Sequence, residues 1–445
     1  MMLQIRSCFR IFLLNLFLWT SLAGFGQTNT DPVYITQGSL DQVIQYALKH
    51  QPTIKQAEID QEIVETTLRN KLSAWYPQLN FNYSLQHNFQ VPTNIIGGNP
   101  IRLGVNNTSN AQFNVSQNIF NRDALLANRS QADVRNQAKQ QTGLNKVELV
   151  AGVSKAFYDV LATMQQIKVS DENISRIQNS LAVATNQYKA GIADKTDYKR
   201  ATILLNNTRA TRSANQSALE AKISYLKNLM GYPDSLSLPI QYDSLLLEKE
   251  VSLDTLQVVD ATTRPEYLLL QTQQRLLNAN LQYEKWAFLP QVSLNGAYNF
   301  NYQNNQFSKL YSNNFPNSFA ALTLSFPLIQ GGKRKANIDQ AGWQIKRKEL
   351  DIAQFKQTVN TQYAQALAAY KASLSNFSAL KENLDLAKEV YGIIDLQYKA
   401  GVKTYLEVIT AETDLRTSQI NYYNALYLVL ASKVDVKRAL GQINY

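Results

Sequence analysis

Two histidines, His50 and His87, are the only imidazoles in the chain, and neither has a partner at metal-ligand spacing. No His-x-x-x-His pair, glycine-rich phosphate loop or nucleophile motif occurs. His50 precedes Gln51-Pro52, which predicts an exposed site at a helix break. His87 falls on the apolar side of an alternating strand and reads as interfacial rather than as a ligand. The single cysteine, Cys8, lies ahead of an apolar stretch in a segment expected to be removed, so no thiol, disulfide or sulfur ligand is expected afterwards. This inventory points away from an enzyme, and no cofactor or metal is expected. Function must come from shape and assembly.

Residues 1–26 read as a secretory signal peptide. Arg6 and Arg10 supply the positive start, Ile11 to Leu22 the apolar stretch, and Gly24-Phe25-Gly26 small residues before a cut near Gln27. Asn15 interrupts the stretch, which is shorter than the roughly 18 residues a membrane anchor needs. The formal charge is +10, and loss of Arg6 and Arg10 lowers it by two. Apart from short runs such as Lys333-Arg334-Lys335, the bases are scattered among acids and amides. That pattern reads as solvated helix faces, and with secretion it argues against nucleic acid as a partner.

The elements that position these residues are written twice. Gln187-Tyr188-Lys189-Ala190-Gly191-Ile192 returns 210 residues later as Gln397-Tyr398-Lys399-Ala400-Gly401-Val402. Tyr76-Pro77-Gln78-Leu79 returns as Leu289-Pro290-Gln291-Val292 at an offset of 213, and Leu229-Met230-Gly231 as Ala439-Leu440-Gly441 at 210. The period far exceeds the roughly 20 to 50 residues of a solenoid repeat, so two domain-sized halves build one pseudo-symmetric object.

Each half carries one very long helical stripe. In the second, Val359, Tyr363, Ala366, Tyr370, Phe377, Leu380, Leu384, Ala387, Tyr391, Ile394 and Tyr398 are separated by steps of three, four or seven. In the first, Val150, Phe157, Leu161, Met164, Ile167, Ile174, Ile177, Leu181, Ala184 and Tyr188 repeat the pattern. No proline interrupts 122–189 or 333–399, and helices of that length run roughly 100 Å. Gly191 and Gly401 stop them, and a second helix follows each, near 195–229 and 404–440.

Each half also holds two segments of period two. Leu79, Phe81, Tyr83, Leu85, His87, Phe89 and Val91 interleave with amides and a serine, as do Val292, Leu294, Tyr298, Phe300 and Tyr302. The expected strands are 79–91, 111–120, 291–303 and 318–328. Lengths of about 10 to 13 residues exceed the roughly 5 or 6 usual in soluble sheets. Length, aromatics and alternation suit a membrane barrel with lipid outside and water inside. Four strands cannot close such a barrel, and open edges cannot sit in lipid. Three chains would supply twelve, and an oligomer lined with amides is a pore.

The order helix, hairpin, long helix, short helix, stated twice, resembles the TolC-type outer-membrane channel family over about 35–445. The Pro-Gln strand entries and the Tyr-Lys-Ala-Gly turns carry the likeness. It implies a mostly α fold with a membrane β-barrel: a homotrimer with a twelve-stranded barrel in the outer membrane of a Gram-negative bacterium, continued by a twelve-helix tunnel across the periplasm. The first repeat would be 27–231, an equatorial segment 232–262, and the second repeat 263–445. Such channels are passive exit ducts for efflux or type I secretion, fed by an inner-membrane transporter through a periplasmic adaptor. By residue match, Thr196, Asp197, Tyr398 and Lys403 would be gate contacts, with Glu407 and Thr410 at the periplasmic constriction. Asp197 would bond Tyr398, and Lys403 would reach Thr196 or Asp197 of a neighbouring protomer. Lysine cannot make arginine's planar two-pronged bond. Read without the family, an Asp, Lys or Glu near a helix start caps the helix or faces solvent. The rival reading is a periplasmic coiled-coil adaptor or scaffold without a pore, which leaves the duplicated amphipathic strands unexplained. The cargo is not legible in the sequence.

Overall fold

Two similar successions of elements make up the chain. In the first, α1 (Leu40–His50) and α2 (Pro52–Leu72) lead to strand β1 (Gln78–His87), the small strands β2 (Thr93–Ile96) and β3 (Asn99–Arg102), and β4 (Asn107–Phe120). The long α3 (Arg122–Lys189) and the shorter α4 (Lys195–Met230) follow. A short α5 (Ser244–Glu250) lies in the connection. The second succession is α6 (Pro265–Lys285), β5 (Gln291–Asn304), β6 (Asn317–Ser325), the long α7 (Lys333–Lys399) and α8 (Tyr405–Ala439). The computed structural model describes residues 35–36, 38–192, 194–242 and 244–445. The segment 1–26, read as a signal peptide, lies outside them.

With 68 and 67 residues, α3 and α7 are each about 100 Å long. Asn121 starts α3 by accepting the amides of Asp123 (2.8 Å) and Ala124 (3.2 Å), which helix geometry leaves unpaired. The stripe on α7 is its inner face. Val359, Tyr370, Phe377 and Leu384 are buried, and the seven other stripe residues pack against them or against the tip cluster. The two long helices are buried unequally. On α3, 25 residues are buried; on α7, only five. So α3 runs through the middle of the chain, and α7 runs along its edge.

The strands form one antiparallel sheet in the order β1-β4-β5-β6, with β1 and β6 as its edges. Register aligns Phe81 with Phe113 and Phe113 with Tyr298, so one face is apolar and aromatic. Asn82, Gln112, Asn299 and Asn317 align on the other face. There the Asn299 amide donates to Asn317 Oδ1 at 2.5 Å. The apolar face is exposed at Phe81, Leu85, Phe113 and Leu322.

Strand ends differ from expectation. β1 stops at His87, short of 91, because Asn88 turns the chain: its side chain donates to Val105 O (2.9 Å). Phe89 therefore lies beyond the ladder, and Asn88 is no longer a strand residue. β4 begins earlier, at Asn107, whose amide donates to the carbonyls of Asn304 and Asn305 (both 3.1 Å). β6 ends at Ser325 because Pro327, two residues on, has no N–H to extend a ladder. The loop between β1 and β4 folds as the small β2–β3 hairpin. His50, expected to be exposed, is half-buried: its ring stacks on Tyr46 at 4.0 Å and its Nδ1 lies 3.0 Å from Tyr46 O, one turn back.

Where strands become helices, cations lie over rings: Arg122 over Tyr283 (4.4 Å), Arg129 over Trp286 (4.8 Å) and Arg334 over Phe288 (5.1 Å). Residues of the connection between α4 and α6 pack against the helices. Tyr232, Leu238, Leu247 and Val251 join a core with Phe157, Leu161, Leu426 and Leu430. Tyr363 and Tyr370 of α7 donate their hydroxyls to the Gln257 and Val251 carbonyls, both at 2.7 Å. Among the described residues, no helix is long and apolar enough to cross a membrane.

Candidate functional site at the hairpin tips

The duplicated motif builds the same turn twice. Gly191 N–H donates to Tyr188 O (3.0 Å) and Ile192 N–H to Gln187 O (2.9 Å). Gly401 and Val402 repeat both bonds to Tyr398 and Gln397, each at 2.9 Å. The glycines adopt φ of 74° and 78°, the left-handed region that a side chain disfavours, so these positions call for glycine.

Each following helix restarts on a capping side chain. Asp194 accepts the Thr196 amide at 2.7 Å, and Thr404 accepts the Glu407 amide at 3.4 Å. Glu407 returns the favour by accepting the Thr404 amide at 2.9 Å, which completes a capping box. Asp197 and Glu407 stand at the same position of their helices, 210 residues apart. Lys403 Nζ reaches Glu407 Oε1 at 2.6 Å within its own chain. Lys403, then the Thr404 amide and hydroxyl, hold the Glu407 carboxyl down to about 2. Thr410 is exposed one turn on, its hydroxyl donated to Leu406 O at 3.0 Å, and Thr196 is exposed at the other tip.

Ala184, Ala201, Tyr405 and Val408 are buried together at the tips, so the two hairpins pack on one another there. Tyr398 OH donates to Gln187 Oε1 at 2.8 Å rather than to Asp197. Gln187 sits at the end of α3 level with Tyr398 at the end of α7, whereas Asp197 belongs to the first turn of α4. Burial raises the Tyr398 hydroxyl's pKa, and the nearby Asp197 charge adds to the rise. The structure thus brings Tyr398 near Asp197 and Lys403 onto Glu407, and leaves Thr196 and Thr410 facing solvent.

Sequence reasoning missed Gln187 and, two turns into α8, the buried Glu412 facing Arg176 of α3 at 3.6 Å. A signal was present: Tyr405, Val408, Glu412 and Leu415 follow helical spacing, with one carboxylate inside an apolar stripe. Among the described residues, no group of His, Cys, Asp and Glu could hold a metal ion. The tips position charge and close packing.

The family model for outer membrane efflux proteins matches residues 43–232 and 263–442, one block in each repeat. The chain is 23% identical over 419 residues to outer membrane protein OprJ of Pseudomonas aeruginosa, spanning 92% of this chain and 85% of that one. It is 21% identical over 451 residues to outer membrane protein TolC of Escherichia coli, spanning 97% and 87%. Among solved structures it is similar to CusC, with a TM-score of 0.72 at 19% identity over 92% of this chain and 95% of the other.

Proposed function

The chain belongs to the outer membrane efflux protein family, and from that membership we propose that it is the outer-membrane exit duct of a tripartite efflux system. It is a passive conduit, with cargo driven by an inner-membrane transporter and delivered through a periplasmic adaptor. The observation that carries this reading is the sheet: one exposed apolar face, one amide face, set on helices about 100 Å long. An adaptor or scaffold would have no use for the apolar face.

The sheet has two unpaired edges, β1 and β6, and an open edge is not tolerated in lipid. Three copies of its four strands close a twelve-stranded barrel, and the helices below it close a tunnel. The edge helix supports the same assembly: Trp343, Leu350, Ile393 and Leu396 of α7 are exposed in the single chain and need a partner. In this arrangement the repeats are 27–231 and 263–445, and 232–262 girdles the tunnel.

The hairpin tips would form the periplasmic constriction. Three Glu407 carboxylates converge on the axis, with Thr410 one turn behind. Thr196, Asp197, Tyr398 and Lys403 hold neighbouring tips closed, and a docked adaptor and transporter favour the splayed state by binding it better. Mass measurement of the detergent-solubilised complex tests the assembly. A trimer is expected, and a stable monomer contradicts the barrel.

A further inference from the structure

Behind the tip cluster, a carboxylate is shut away from water. Glu412 is 1% exposed, and its Oε1 accepts no hydrogen bond. Arg176 Nε, across the gap on α3, lies 3.6 Å from that oxygen and also has no hydrogen-bond partner. The two therefore form a long ion pair, too far apart for a good hydrogen bond, which repays little of the cost of burying the carboxylate. Other elements meet the same spot. Arg176 Nη2 donates to the buried Asn173 (3.4 Å), and its guanidinium lies over the Tyr391 ring of α7 (5.9 Å). Arg416, on α8 itself, adds a second positive charge and donates to Thr208 of α4 (3.3 Å). Asp395 of α7 adds a negative charge, and Tyr391 and Tyr405 lie close enough to feel the carboxylate.

We propose that Glu412 and Arg176 form a proton-controlled clasp between the two helical hairpins, tight when Glu412 is protonated and loosened when it ionises. The inference rests on the reading of the tips as a gate. Splaying the tips draws α8 away from α3 and lets water reach Glu412. In water its carboxyl has the ordinary value of 4.5; in the clasp, burial raises it to about 7 against the pull of Arg176 and Arg416. Between those values the clasped state holds a proton that the splayed state has lost. Rising pH through that window favours splaying, and acid favours closure; outside it the response is flat. From pH 5.5 to 8 the ratio of closed to splayed should fall on the order of tenfold per protomer. Glu407 does not share this response, because its partners keep it ionised throughout the window.

Hydrogen exchange of residues 405–420 in the full detergent-solubilised protein, corrected for intrinsic rates, reads the clasp at pH 5.5 and pH 8. Wild type should lose protection on the order of tenfold as pH rises. Glu412→Gln should abolish the dependence, and Arg176→Gln should move its midpoint to higher pH by removing an opposing charge. A flat wild-type profile, or an equal slope in Glu412→Gln, overturns the clasp. Single-channel conductance followed over the same pH range separates the two ideas. Protection that responds as expected while conductance stays constant leaves the clasp standing and removes the gate.

Discussion

At the start of α8, Glu407 accepts the Thr404 amide with one carboxylate oxygen and Lys403 with the other. Both partners favour the anion. What this stabilises is fully present above about 4.5 and is lost only as pH falls toward 2. Its charge is therefore constant from pH 5 to 8. In planar bilayers, Glu407→Gln should lower cation preference and multivalent-cation block by the same factor across that range. Unchanged selectivity would return Glu407 to an ordinary helix cap. Tyr398→Phe removes the hydroxyl bond to Gln187, worth about 0.5 to 1.5 kcal/mol, and Lys403→Ala removes the cation beside Glu407. Together they should raise single-channel conductance; no change places closure elsewhere. The duplicated turns placed the two tips in the sequence, and the family resemblance picked out Asp197, Tyr398, Lys403 and Glu407 beside them. The burial of Glu412 was signalled by its apolar stripe, but its pairing with Arg176 and that of Gln187 with Tyr398 were not legible, because contacts across hairpins depend on the relative height of helices far apart in sequence.

Among elements, the long helices were the most legible: every residue of the Val359–Tyr398 stripe after Val359 lies in a core cluster or packs against one, and Val359 is itself buried. A heptad seam fixes which side is inside before any partner is known. Strand faces were equally legible, since alternation alone sets them, but strand ends were not. A side-chain bond from Asn88 and the missing N–H of Pro327 decide those, and hydropathy does not register either. The faces give a sharp test. Leu85→Arg on the apolar face should cost roughly 2 to 4 kcal/mol in assembled barrels, and Ser84→Arg on the amide face far less. Trimer yield in membranes is the readout, and equal losses would contradict the assignment.

For the whole molecule, the unequal burial of the two long helices has a genetic consequence. A polar substitution in the buried face of α3, such as Phe157→Asp, strikes the chain's own core, so the variant is degraded and behaves as recessive. Leu350→Asp, on the exposed side of α7, leaves that core intact and spoils only what a neighbour must cover. Such a chain survives to join its siblings. Expressed equally with wild type, it would leave only about one in eight of the proposed trimers free of a defective member. Loss of channel activity in that mixed cell should thus be dominant for Leu350→Asp and absent for Phe157→Asp, with planar-bilayer conductance of outer-membrane extracts from the co-expressing strains as the measurement. A duplication that began with two equal halves would then have left one copy answerable for the chain and the other for its company.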